Sequence, residues 1–189
     1  MATGWVKDGS SWYFMAPSGA LTTGWLKDGG SWYYLSTDSG AMYTGGHWIG
    51  WKWYYFNESG WMLTGWVHAS WEGSEKFWWY FGETGALESG DWLEYNGSWY
   101  LLGSDGRMAT GWADRDGMKY YLDETGRMIT GWLKLDNDWY YLRSDGSRVE
   151  DCLYEVGADN ICAFDKDGKL LTGDITVTTN DDGYIAGIK

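Results

Sequence analysis

Trp25 and Trp32 stand seven residues apart with Asp28-Gly29-Gly30 between them, and the same spacing recurs at Trp5 and Trp12, Trp92 and Trp99, and Trp132 and Trp139. An indole presents a negative π-face, so several such faces turned toward one space attract a cation. An open box of aromatic faces with no buried counter-charge suits a quaternary ammonium ion. Nothing else in the chain offers comparable chemistry. The two histidines, His47 and His68, fit no metal-ligand spacing and read as half-exposed strand residues. Asp165-Lys166-Asp167-Gly168 resembles the start of a calcium loop, but its twelfth position would be Thr176, which cannot chelate as a carboxylate does. Similar turns recur at Asp105, Glu124 and Asp145, so all are read as turns. No carboxylate pair is set apart for acid–base work. The expectation is that the chain is not an enzyme and carries no cofactor or metal, although a catalytic domain could have been attached to it.

Such aromatics need elements to aim them. Thr23 to Leu35 reads as two short strands, one opening at Trp25 and the other running from Trp32, joined at Asp28-Gly29-Gly30, whose glycines supply the positive φ of a tight hairpin turn. A second turn at Asp38-Ser39-Gly40 closes the unit. Thr-Gly-Trp recurs at Thr3, Thr23, Thr64, Thr110 and Thr130, with degenerate copies at Thr44-Gly45-Gly46, Ser89-Gly90-Asp91-Trp92 and Glu150-Asp151-Cys152. Second strands are expected from Trp12, Trp32, Trp53, Trp78, Trp99, Lys119, Trp139 and Ile161. Most copies are 20 or 21 residues apart; the one at Thr64 is longer because Ala69 to Lys76 extends its loop, around Trp71. Eight such repeats predict an all-β solenoid of stacked hairpins over residues 1–173. Residues 174–189, with Ile175, Val177, Tyr184, Ile185 and Ile188 flanking Asp181-Asp182-Gly183, read as a closing hairpin of the same domain. Two Trp of one hairpin and the Tyr of the next then enclose a small space, because side chains of a strand alternate between faces.

Composition narrows the partners. The 189 residues include 17 Trp, 15 Tyr and 29 Gly, and the net charge is −13. A chain so acidic is repelled by nucleic acid and by anionic membranes, whereas a cationic ligand is drawn to it. No apolar run approaches 18 residues, so no membrane insertion is expected. Cys152 and Cys162 fall in one late repeat, one per strand, as an intra-hairpin disulfide or as two buried thiols. Met1-Ala2-Thr3-Gly4 runs straight into the first repeat without a signal peptide, which suggests an excised fragment.

The pattern Gly-Trp-x-Lys-Asp-Gly-x-x-Trp-Tyr-Tyr, followed by Gly-x-Met-x-Thr-Gly-Trp, resembles the choline-binding (cell-wall-binding) repeats of Gram-positive surface proteins and phage lysins, over residues 3 to about 173. The tail is similar to the end of the pneumococcal autolysin amidase. The resemblance implies a left-handed superhelix of hairpins that holds choline groups of teichoic and lipoteichoic acids. It further implies a secreted protein of the bacterial cell surface and a homodimer formed through the C-terminal end. Four cages are implied: Trp5 and Trp12 with Tyr33; Trp25 and Trp32 with Tyr54, buttressed by Met42; Trp66 and Trp78 with Tyr100; and Trp92 and Trp99 with Tyr120.

Three further positions depart from the pattern. Gly46 stands where Trp is expected, leaving Trp53 and Trp79 unless Trp48 substitutes. Lys119 replaces the second Trp beside Trp112 and Tyr140, and either repels a cation or lays its own stem over Trp112. Trp132 and Trp139 meet Cys162 where Tyr should be. The leading expectation is a non-catalytic module anchoring something to choline-bearing wall. The alternatives are a glucan-binding module, disfavoured by the absence of Gln and the scarcity of Asn outside turns, and a structural spacer.

Overall fold

The computed structural model describes residues 2–70, 73, 75–157, 160–181 and 185–188, and every sheet among them is a two-stranded antiparallel hairpin. The chain divides into two units, Met1–Asp91 with Gly103–Met108, and Trp92–Leu102 with Ala109–Lys189. The first holds four hairpins: β1 (Gly4–Asp8) with β2 (Ser11–Met15), β3 (Gly24–Asp28) with β4 (Ser31–Leu35), β5 (Gly45–Ile49) with β6 (Lys52–Phe56), and β7 (Gly65–Ser70) with β8 (Lys76–Phe81). The second holds β9 (Trp92–Tyr95) with β10 (Ser98–Leu101), β11 (Gly111–Arg115) with β12 (Met118–Leu122), β13 (Gly131–Leu135) with β14 (Asp138–Leu142), β15 (Cys152–Gly157) with β16 (Asn160–Phe164), and β17 (Val177–Thr179) with β18 (Ile185–Ile188). The expected all-β solenoid of hairpins is thus the fold, with the tail paired as a last hairpin. Trp71 and Asp182-Gly183-Tyr184 lie outside the described residues.

Turn chemistry sets each register. Gly29 and Gly30 adopt φ of 56° and 87°, the two positive values that a two-residue turn needs to match strand twist. Lys27 then faces Trp32, and Trp25 faces Tyr34. Trp25, Trp32 and Tyr34 therefore share one face, while Tyr33 and Leu35 take the other.

Backbone as well as side chains joins one hairpin to the next. In the first unit the N–H groups of Met42, Met62, Leu87 and Met108 donate to the carbonyls of Trp12, Trp32, Trp53 and Trp78 at 2.8–2.9 Å. In the second, Met128, Arg148 and Leu170 donate likewise to Trp99, Lys119 and Trp139 at 2.7–2.8 Å. The same linking segments also bond their own hairpin, as Tyr43 N–H does to the Tyr34 carbonyl at 2.9 Å. An isolated hairpin is marginal in water, so these double attachments matter to its stability.

The dry centre is not tryptophan. The largest fully buried side chains are Phe56, Phe81, Phe164, Leu35, Leu122 and Leu142, each at the end of a second strand. Trp12, Trp25, Trp32, Trp78, Trp99, Trp112, Trp132 and Trp139 all remain 38–44% exposed. Trp79 is the exception at 4%, packed with Val67, Ala69 and Phe81 in the longer fourth hairpin. Cys152 and Cys162 are free, half-buried thiols, facing Phe164 and Tyr154 across the hairpin, and burial raises the Cys152 pKa above its ordinary value.

Candidate functional site

The first-strand tryptophan is the wall most firmly held. The residue opposite it in the register meets it edge-on: Phe14 against Trp5, Tyr34 against Trp25, Tyr80 against Trp66, Tyr121 against Trp112 and Tyr141 against Trp132, all with centroids 5.1–5.2 Å apart. Edge-to-face contact of this kind suits the ring quadrupoles and fixes the indole's tilt. The second-strand Trp lies on the same face at nearly a right angle, 6.2 Å away for Trp25 and Trp32 and 6.0 Å for Trp132 and Trp139. The Tyr of the following hairpin closes a third side: Tyr33 is 4.7 Å from Trp5, Tyr54 is 4.9 Å from Trp25, Tyr120 is 4.9 Å from Trp92 and Tyr140 is 5.0 Å from Trp112.

Trp5, Trp12 and Tyr33 line a cavity of about 380 Å³, joined by Met42, Glu58 and Ser59. Trp25, Trp32 and Tyr54 line one of about 390 Å³, joined by Met62, Glu83 and Thr84. Met42 thus belongs to the first cage, not the second, where Met62 takes its place. The reason is the linking segment: Met42 follows β4 but bonds back to Trp12 on β2. Each cavity also has a carboxylate at its lining, from the turn one hairpin further on. Sequence spacing hid both the Met and the Glu, because neither is near its cage in the chain. The Trp5 indole N–H is itself satisfied by Asp28 Oδ2 at 2.9 Å.

Cations also meet several second-strand indoles. Lys7, Lys27 and Lys134 lie over Trp12, Trp32 and Trp139 with Nζ 5.6–5.8 Å from the ring. In the fourth hairpin His68 stacks on Trp78 instead, at 4.8 Å. Trp66 and Trp78 belong to the first unit and Tyr100 to the second. Beside Trp92 and Trp99, Met128 N–H reaches the Trp99 carbonyl. Burial first, then the Asp145 carboxylate, raises the Tyr120 pKa above its ordinary value. Asp145 is held ionised by the Ser147 hydroxyl, at 2.6 Å, which lowers its pKa.

The three departures resolve differently. At the third hairpin Trp53 swings over Gly46, where an added Cβ would collide with Trp53 Cζ2. Trp48 does not substitute: it faces Trp53 across the hairpin and is 61% exposed. Trp132 and Trp139 do line a cavity, of about 330 Å³, with Leu170 in the place of methionine. Lys119 reaches away to Asp114 Oδ1 at 2.6 Å, and Arg148 lies over Trp112 in its stead.

Comparison with known proteins agrees with the hairpin fold. The choline-binding repeat family matches residues 2–47, 89–130 and 109–149, more than half of the chain. Among solved structures, CbpJ of Streptococcus pneumoniae is 34% identical over 90% of this chain and 58% of its own, with a TM-score of 0.78. Choline binding protein F of the same organism, solved in the presence of a peptidoglycan analogue, is 30% identical over the same shares, also at 0.78. The choline-binding domain of CbpL, again from that organism, is 28% identical over 100% of both chains, at 0.64. The chain therefore spans 58% of the length of the first two. No curated protein sequence matches it. Repeat spacing, hairpin register and the matched stretches lead to one conclusion: the chain belongs to the choline-binding repeat family.

Proposed function

We propose that this chain is a non-catalytic module that holds choline groups of teichoic and lipoteichoic acids in the aromatic cages between successive hairpins, and so anchors a secreted protein to the bacterial cell surface. The observation that carries the reading is the division of labour among side chains. Leu and Phe fill the dry centre, while Trp12, Trp25 and Trp32 stay about 40% exposed around the first two cavities, with Trp5 half-buried beside them. If these indoles served only as packing, aliphatics would suit their positions better, since they carry no N–H to satisfy. Each cage offers a trimethylammonium group about 0.5–2 kcal/mol of cation–π attraction, so a single cage binds weakly. Several cages meeting a polymer with many choline groups bind through avidity. Glu58 and Glu83 add a favourable field for a cation.

Choline should raise the melting temperature, by RT ln(1 + [L]/Kd) for each site, about 2.7 kcal/mol at a hundredfold excess over Kd. The same concentration of sodium chloride should not. A melting temperature that choline leaves unmoved, together with retention on dextran, would transfer the assignment to carbohydrate.

A further inference from the structure

We propose that Arg148 is the resident cation of the cage at Trp112, and that it, rather than Lys119, keeps external quaternary ammonium ions out. The inference rests on the choline reading above. Arg148 occupies the position of Met42 and Met62: its N–H donates to the Lys119 carbonyl at 2.7 Å, as theirs do to Trp12 and Trp32. Where those cages have a thioether, this one has a guanidinium, whose central carbon is 5.2 Å from the Trp112 ring centre. Tyr140 closes on the same indole at 5.0 Å. A planar, weakly hydrated guanidinium stacks well on aromatic faces and satisfies the quadrupole that would otherwise attract a ligand.

The cation is built in. Its Nε and Nη2 both bond the Glu150 carboxylate, and its side chain is only 9% exposed. Its carbonyl accepts a hydrogen bond from Arg143 Nη1 at 3.0 Å. Gly168 of the next turn closes so tightly over it that an added Cβ would lie 2.5 Å from Arg148 Cδ and Nε. Lys119, by contrast, is tied to Asp114 across its own hairpin. A second cation must displace this guanidinium to reach the same face of Trp112. Restoring the missing indole alone therefore does not restore the site.

Calorimetric stoichiometry of choline binding in three chains tests this: wild type, Lys119→Trp, and Lys119→Trp with Arg148→Met. Lys119→Trp should bind as many cholines as wild type, and the double variant should bind one more. An extra choline in Lys119→Trp, or none in the double variant while its other cages fill, overturns the proposal. Should the double variant fail to fold, the wild-type indole N–H resonances decide. On adding choline the Trp25 signal should shift and the Trp112 signal should stay; a shift at Trp112 equal to that at Trp25 overturns the role of Arg148 alone. A chain that binds choline at no cage removes the functional reading and this proposal together.

Discussion

Successive hairpins of the first unit make one open cage and one closed one. The space among Trp25, Trp32 and Tyr54 is about 390 Å³, whereas that among Trp53, Tyr55, Ser70, Trp79 and Phe81 is about 10 Å³. Two of the differences between them fall on the aromatic walls. Gly46 stands in for Trp25, and Trp79 stands in for Tyr54. With no first indole in the way, Trp53 lies over the bare Gly46 backbone, and Trp79 sinks until its N–H reaches the Ala69 carbonyl at 2.9 Å. The first-strand Trp is therefore more than one wall. It is the wedge that keeps the second Trp from filling its own cage.

Breaking the closed cage should have the largest effect. Trp79→Ala removes a buried indole and its hydrogen bond to the Ala69 carbonyl, so it should cost about 3–5 kcal/mol in denaturant unfolding, yet leave the number of bound cholines unchanged. Trp25→Gly should convert the open cage into a copy of the closed one. It should lose one choline by calorimetry and roughly 1–2 kcal/mol of stability, less than Trp79→Ala because the indole is half exposed.

Glu83→Gln should leave stability alone and weaken binding at the second cage about two- to fivefold, as expected for an exposed charge, with the loss shrinking in high salt. Lys27→Ala should have the smallest effect, about 0.5 kcal/mol or less, because its ammonium makes one distant contact with the Trp32 ring and does not line the cavity. Equal choline binding by wild type and Trp25→Gly would show that the wedge is dispensable.

Most of this was legible in the chain. Seven-residue Trp spacing with Asp-Gly turns predicted the hairpins, and strand alternation placed Tyr33 and Tyr54 against the preceding tryptophans. What escaped was whatever the linking segments carry. Met62 and Arg148 stand at the recurring Gly-x-Met position, and Glu58 and Glu83 in the turns before it, but that period does not say that they reach cages formed by hairpins earlier in the chain. Lys119 misled for a related reason. Its departure from the pattern was visible, but its cross-strand neighbour Asp114 was the stronger attraction.

The linking bonds also give each cage an internal clock. Met42 N–H is bonded to the carbonyl of Trp12, and both residues line the first cavity; Met62 and Trp32 stand in the same relation in the second. Such an amide meets solvent deuterium only when its hairpin parts locally from the preceding one, an opening far smaller than global unfolding. A ligand gripped between Trp12 and Met42 opposes that parting. Exchange at the Met42 amide should slow when the first cage fills, and at Met62 when the second does. The backbone itself then reports occupancy cage by cage, without a label and without altering any residue that touches the ligand.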